Sequence, residues 1–271
     1  MLRNIDHIVI VARDLAQVSE DFRQAGFTVT PGGEHVGGAT HNALISFADG
    51  TYFELIAFKE PDRPQGHKWW SRLALGEGLT DYALGSTDLA ADAEAIRQRG
   101  LDFDGPVDGG RQRPDGARVQ WRTILLGRGA SISNEKAALP FIIEDVTPRE
   151  LRVPGGAATA HRLPATGVAG LTLVVSDLGK AGEHLEAVLH AKGAPSSARP
   201  ATEGRALRYP IGRQWLELLQ PASPSTPSGE YLRRFGDGPY EVVLSAGAPG
   251  EPVTGSPIEG ALHGARIRLA R

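Results

Sequence analysis

The chain repeats itself, and a chain that repeats one strand–helix–strand pattern is confined to folds assembled from copies of that unit. The first copy, Ile5-Asp6-His7-Ile8-Val9-Ile10-Val11-Ala12-Arg13-Asp14-Leu15, is a short apolar strand ending in Asp-Leu. It runs into a helical stretch, Leu15 to Ala25, stopped by Gly26. A second copy spans Leu79 to Leu89 and leads into a helix stopped by Gly100. Asp14 and Asp88, Arg23-Gln24 and Arg97-Gln98, and Gly26 and Gly100 all stand 74 residues apart. A third copy, Val168 to Leu178, places Asp177 at an offset of 163 from Asp14. The later runs Tyr52-Phe53-Glu54-Leu55-Ile56 and Trp215-Leu216-Glu217-Leu218-Leu219 keep that 163 offset between Glu54 and Glu217. A fourth copy is abbreviated to strands near Tyr240 to Ser245 and Ala265 to Leu269.

Each unit reads as strand, helix, then several strands. Asp14 is a good helix N-cap and Gly26 a good stop. Strands are expected at Phe27 to Thr30, Ala43 to Phe47 and Tyr52 to Phe58, the last two joined at Ala48-Asp49-Gly50, where Asp-Gly signals a hairpin. Pro31 to Ala39 reads as a Gly-rich loop between strands. The second unit closes with Phe141-Ile142-Ile143-Glu144 after a longer hairpin region. One helix cannot cover both faces of its sheet, so units must pair. The expected division is residues 1–150, with modules at about 1–60 and 78–148, then residues 165–271 with the third module and the abbreviated fourth. Pro154 to Gly167, rich in Gly, Ala and Pro, is the boundary.

Composition removes several function classes. The 271 residues include no cysteine, which excludes disulfides, zinc–cysteine fingers, iron–sulfur clusters and a thiolate nucleophile. A net charge of −3 with no long run of one sign gives no basic face for nucleic acid. No apolar stretch approaches the roughly 20 residues of a membrane span. With no basic leader or cleavage site before Ile5, the expectation is a cytoplasmic protein. Its partner would be a small-molecule substrate, with no nucleic acid and no membrane; a homodimer stays open.

The strand Asp6-His7-Ile8-Val9-Ile10 followed by Asp14-Leu15, together with Tyr52-Phe53-Glu54-Leu55-Ile56, resembles the vicinal oxygen chelate superfamily, which includes glyoxalase I, bleomycin resistance proteins and extradiol dioxygenases. The runs Pro31-Gly32-Gly33-Glu34-His35, Thr40-His41-Asn42-Ala43-Leu44, Arg113-Pro114-Asp115-Gly116 with Trp121-Arg122, and Phe141 to Glu144 are similar to bacterial glyoxalase-like domain proteins. The resemblance implies an α+β fold in which paired βαβββ modules form a cup-shaped mixed sheet with helices outside. It also implies a divalent metal ion (Zn, Mn, Ni, Mg or Fe) held by His7 and Glu54 of the first module and by Asp81 and Glu144 of the second. Metal-assisted proton transfer of isomerase, lyase or epimerase type on a small oxygenated substrate would follow, with Glu54 or Glu144 as the catalytic carboxylate, its pKa raised by burial.

Two departures qualify that picture. Asp81 stands where extradiol dioxygenases carry a second histidine, which disfavours an Fe(II) dioxygenase. In the third unit Gly170 takes the place of His7, so the C-terminal half reads as scaffold or pocket wall. The alternative function is a metal-free protein that binds and sequesters a small molecule. Substrate contacts are expected from His35, His41, Asn42, Arg113 and Arg122, though Arg113-Pro114-Asp115-Gly116 is also simply a turn. Trp69 and Trp70 read as a packing plug or interface. His161, His184, His190 and His263 read as surface residues.

Overall fold

The recurring Asp-Leu pair starts a helix in each full copy. In the computed structural model, which describes residues 2–64, 66–127, 138–246, 256–258, 260 and 262–270, the Asp14 carboxylate accepts from the N–H groups of Ala16 and Gln17 at the start of α1 (Leu15–Gln24). Asp88 accepts from Ala91 at the start of α3 (Leu89–Gln98), and Asp177 from Lys180 at the start of α5 (Leu178–Leu189). Each satisfies a backbone donor that would otherwise be orphaned at the helix end.

The first two modules close into one barrel. Its strands are β1 (Ile5–Ala12), β2 (Thr30–His35), β3 (Thr40–Ser46), β4 (Tyr52–Phe58), β5 (Gly78–Gly85), β6 (Phe103–Gln112), β7 (Arg118–Leu126) and β8 (Phe141–Asp145). Their order around the barrel is β1-β4-β3-β2-β6-β7-β8-β5. β1 and β5, the first strands of the two copies, lie side by side and antiparallel, with His7 opposite Ala83 and Val9 opposite Asp81. Two elements link the parts: α2 (Lys68–Leu75) between the modules, and the single turn α4 (Arg149–Arg152) after β8. The expectation for residues 30–35 needs correcting. Phe27 to Val29 are not strand, Phe27 and Val29 filling the core, and β2 begins at Thr30 and takes in Pro31 to His35. Strand geometry there fixes where His35 points.

The C-terminal part is an open seven-stranded sheet in the order β10-β11-β12-β9-β13-β15-β14. Its members are β9 (Ala165–Val174), β10 (Ala194–Pro195), β11 (Gly204–Ile211), β12 (Gln214–Pro221), β13 (Gly238–Ala246), β14 (Ser256–Pro257) and β15 (Ile267–Leu269), with α6 (Pro227–Phe235) before β13. The trio β12-β9-β13 copies β4-β1-β5: parallel pairing on one side, antiparallel on the other.

Strand alternation sorts side chains between two environments. Ile8 and Ile10 of β1 face outward into a core with Val18 and Phe22 of α1, and that core continues through Leu171 and Leu173 of β9. Each such fully buried aliphatic or aromatic side chain contributes about 1.5–3 kcal/mol. One apolar core therefore serves both sheets. Hydrogen bonds stitch the seam: Ile5 N–H to Gln214 Oε1 at 2.6 Å and Val168 N–H to Thr51 Oγ1 at 3.0 Å. Val9, Val11, Ile56, Phe58, Ala83, Phe141 and Ile143 face the other way, into the barrel. Among the described residues, no helix is long and apolar enough to cross a membrane.

Candidate functional site

His7 shares the inward face of β1 with Val9 and Val11, and it is almost completely buried. Its ring stacks on Tyr52 with centroids 4.5 Å apart and meets the edge of Phe141 at 5.3 Å. Nδ1 lies 2.7 Å from Asp6 Oδ1. Burial works against ionisation of Asp6, but the charge of Arg152 and the hydrogen bonds from His7 and Arg152 outweigh it and hold the carboxyl well below the usual range. An ionised carboxylate only accepts, so the network assigns a proton to Nδ1 of His7 and leaves Nε2 toward the barrel.

Nε2 of His7 faces Glu54 Oε2 at 3.6 Å, beyond hydrogen-bond length. The other oxygen of Glu54 accepts from Asn42 Nδ2 at 2.7 Å and lies 3.2 Å from His35 Nε2. Burial alone would raise the pKa of Glu54. The hydrogen bond from His35, the facing His7 ring and the Asn42 amide outweigh it and push it down to about 2. The expectation of a raised carboxylate is thereby reversed. Glu54 is ionised at neutral pH and is a weak base. Because it only accepts, His35 donates through Nε2, and its Nδ1, 2.9 Å from Thr40 Oγ1, takes the hydroxyl proton.

These groups open on a cavity of about 230 Å³. His7, His35, Glu54 and Arg111 supply its polar wall, and Trp69, Trp121 and Phe141 are among its apolar lining. Arg152, which also lines it, is fully buried and joins three elements: Nη1 donates to Asp6 Oδ1 at 2.8 Å and to the Tyr52 hydroxyl at 2.7 Å, and Nη2 to Asp145 Oδ2 at 3.0 Å.

The expected metal ring does not assemble. Pairing of β5 with β8 sets Ala83 opposite Phe141, just as β1 and β4 set Val9 opposite Glu54. Since Val9 and Ala83 are 74 residues apart, the counterpart of Glu54 is Phe141, not Glu144. Phe141 and Ile143 point inward and Glu144 outward. There Glu144 pairs with Arg122 and accepts from the Leu89 N–H at 3.1 Å, at the start of α3. Asp81 faces inward but accepts from Trp69 Nε1 at 2.8 Å and from the Tyr82 N–H at 2.9 Å. Among the described residues, no group of three His, Asp or Glu side chains is arranged to hold a metal ion. The set His7, Glu54, Asp81 and Glu144 does not fit one.

The expected substrate residues divide as well. His35 lines the cavity, and Asn42 stands behind it on Glu54. His41 alternates to the outer face of β3, where burial and then Lys59 pull its pKa down. Arg113 donates to the Leu151 carbonyl and pairs with Asp115, so it secures the β6–β7 hairpin. Arg122 serves Glu144 outside the barrel. Trp69 is more than a plug: it lines the cavity and fixes Asp81, whereas Trp70 binds the Pro61 carbonyl. His161 and His263 are not surface residues. His161 joins the Thr28 N–H to the Ser46 carbonyl, and His263 joins Asp21 to Glu77.

Sequence reasoning missed Arg111, Trp121, Tyr52 and Arg152. For the first two a signal existed. Arg111 lies two residues from Gly109, and a Cβ on Gly109 would sit 2.2 Å from Trp121 Nε1. A bare strand position facing a tryptophan marks where an indole lies across the neighbouring strand.

The family model of the glyoxalase-like domain matches residues 5–189. No curated protein is a match. Among solved structures, a hypothetical protein from Staphylococcus aureus is similar over 98% of each chain, with a TM-score of 0.71 and 13% identity. A mutant of 4-hydroxymandelate synthase from Streptomyces coelicolor is similar over 90% of this chain and 71% of its own, with a TM-score of 0.59 and 12% identity. A fusion of a xylose isomerase-like TIM barrel with 4-hydroxyphenylpyruvate dioxygenase matches 90% of this chain and 36% of its own, with a TM-score of 0.54 and 13% identity. At such identities these likenesses concern the fold. With the family model covering more than half of its length, the chain belongs to the glyoxalase-like domain family.

Proposed function

We propose that the barrel cavity is the active site of an enzyme that moves a proton on a small oxygenated substrate, by isomerase, epimerase or lyase chemistry, with His7 as the group that takes and returns it. The observation that carries this reading is the placement of His7 between two carboxylates. Nδ1 is 2.7 Å from Asp6, and Nε2 opens on the cavity 3.6 Å from Glu54. An imidazole fixed through one nitrogen, with the other open to the cavity, is the placement that positioned acid–base catalysis needs.

The substrate's C–H must lie next to a carbonyl or carboxyl group for an imidazole to remove its proton. His7 Nε2 takes that proton, and the electron pair moves onto the neighbouring oxygen. Arg111, on the same cavity wall, meets the developing negative charge. His7 then returns the proton to the same carbon (epimerisation) or to its neighbour (isomerisation). Glu54, its pKa near 2, balances charge and orients His35; it does not act as the base. Trp69, Trp121 and Phe141 offer apolar surface to the rest of the substrate.

Proton NMR in D2O tests this on pyruvate, phenylpyruvate, hydroxyacetone and lactaldehyde, by following loss of the signal of the activated C–H. Wild-type protein is expected to exchange at least one of them above the buffer rate, and His7→Ala to lose about 10²–10⁴-fold of that rate. Exchange is also expected to survive EDTA. Loss with EDTA and recovery with added zinc or manganese would remove His7 as the base. A second reading, sequestration of a small molecule, draws on the aromatic lining, and tight binding with no exchange by any substrate would favour it.

A further inference from the structure

Arg111 is 3% exposed, yet among the described residues it makes no ion pair. Nη2 donates to the Arg152 carbonyl at 2.6 Å, and Nε has no partner. A buried guanidinium without a carboxylate costs several kcal/mol, which the fold must offset elsewhere. Arg152, the other arginine buried to the same degree among the described residues, is answered by Asp6 and Asp145. Among the described residues Arg72 also has an Nε without a partner, but it lies away from the cavity that holds His7, whereas Arg111 lines it.

The rest of the cavity limits what could answer it. Glu54 already contributes a carboxylate at this low-dielectric site, so a second charge on the ligand would be repelled. That favours a monoanion over a phosphate dianion, and a planar guanidinium fork fits a carboxylate. The rest of the lining includes four aromatic side chains, Trp69, Trp121, Phe141 and Tyr52, and the guanidinium of Arg152, which Asp6 and Asp145 already answer. A dry cavity of about 150 Å³ accepts benzene, so about 230 Å³ takes one ring-sized group with roughly 80 Å³ left for a short acid chain.

We infer that the cavity binds a small monocarboxylate bearing one ring-sized apolar group, its carboxylate on Arg111 and its ring among Trp69, Trp121 and Phe141. This rests on the barrel cavity being the reactive site, as proposed above, and names the substrate class of that site. The carboxylate then lies on the wall shared with His7, and the carbon next to it is the one whose proton His7 reaches.

Two of the four tryptophans, Trp69 and Trp121, line the cavity, so intrinsic fluorescence reads binding without any turnover. The titrants are phenylacetate, phenylacetamide and benzylphosphonate, against wild type, Arg111→Lys and Arg111→Gln, each variant first checked for a native melting transition. Wild type is expected to bind phenylacetate about tenfold or more tighter than phenylacetamide, the difference a charge-assisted hydrogen-bond pair makes, and tighter than benzylphosphonate. Arg111→Gln is expected to bring the acid and the amide within about threefold of each other, with Arg111→Lys in between. Equal affinity of wild type for acid and amide, tighter binding of the phosphonate, or an acid preference that survives Arg111→Gln each overturns the inference. The acid–amide comparison is made on wild type, so a misfolded variant cannot shield it. Acid preference without proton exchange refutes the reaction and keeps the ligand class. Exchange of hydroxyacetone without acid preference does the reverse.

Discussion

Replacing Asp6 by asparagine removes one charge from the floor of the barrel and changes little else in shape. Asp6 is 2% exposed and receives Arg152 through two N–H groups at 2.8 and 3.1 Å, Arg149 at 2.6 Å and His7 at 2.7 Å. Breaking a buried ion pair from one side costs about 3–5 kcal/mol, because the other charge stays buried. Asp145 still holds Arg152 from its far edge, so the lower end applies, about 3 kcal/mol. At roughly 2–4 °C per kcal/mol for a chain near this size, the melting midpoint should fall by about 6–12 °C at pH 7. The sign of the pH dependence follows from the depressed carboxyl. Its contribution is present above the unfolded value near 3.9 and is lost as pH falls through the lower folded value, so the gap between variant and wild type should close in acid. The double variant Asp6→Asn with Arg152→Met removes both charges and should be more stable than the sum of the single losses, by at least about 1 kcal/mol. Scanning calorimetry of the four proteins decides the matter. A drop below about 2 °C for Asp6→Asn, or strict additivity in the cycle, would show that the Asp6–Arg152 pair does not hold the floor.

Glu144→Gln should leave phenylacetate binding unchanged and cost under about 1 kcal/mol in a urea melt, because its partner Arg122 is 46% exposed. Burial disfavours a charged His263, but its hydrogen bonds to Glu77 and Asp21 outweigh burial and raise its pKa. The stabilisation is therefore fully present below the unfolded value near 6.5 and is lost as pH rises through the higher folded value. His263→Ala should accordingly lower the melting midpoint more at pH 6 than at pH 9. A Cβ on Gly170 would lie 2.1 Å from Trp215 Cδ2, so Gly170→Ala should destabilise by about 1–3 kcal/mol while leaving ligand affinity in the barrel intact; the two titrations check this together.

The fold was legible because the signals that specify it are local. Asp-Leu at the head of each helix, a glycine at the end of the first two and the copied strand runs are written in consecutive residues, and caps and period-2 patterns need no tertiary information. The site was legible in part: His7 and Glu54 sit on the copied strands β1 and β4 and point inward, and the resemblance added His35 and Asn42, which stand beside Glu54. Glu144 was misassigned because the second copy closes with its strand shifted by three residues, so the matching letter falls on the wrong face; only the Ala83–Phe141 pairing reveals it. Arg111 and Arg152 were not legible as a pair at all. One is answered by carboxylates on Asp6 and Asp145, 146 and 7 residues away, and the other by none, and such accounting requires the assembled barrel.

The C-terminal sheet shows what becomes of this strand trio when the histidine is lost. Glu217 keeps the place that Glu54 holds, but Gly170 replaces His7 and the Trp215 ring lies across the vacated position. A carboxylate left there alone would be costly to bury. Instead Arg199 reaches in, binding Glu217 at 3.0 Å, Glu241 at 2.6 Å and Thr172 at 3.1 Å, and Arg208 adds a second guanidinium at 2.8 Å. Every charge is matched within the chain, so nothing is left for a ligand to complete. In the barrel the balance runs the other way: Glu54 is met by imidazoles and an amide, and Arg111 by no acid. The same scaffold thus carries one cluster satisfied internally and one that a carboxylate from outside would satisfy, and it is on this contrast that the proposed site in the N-terminal barrel rests.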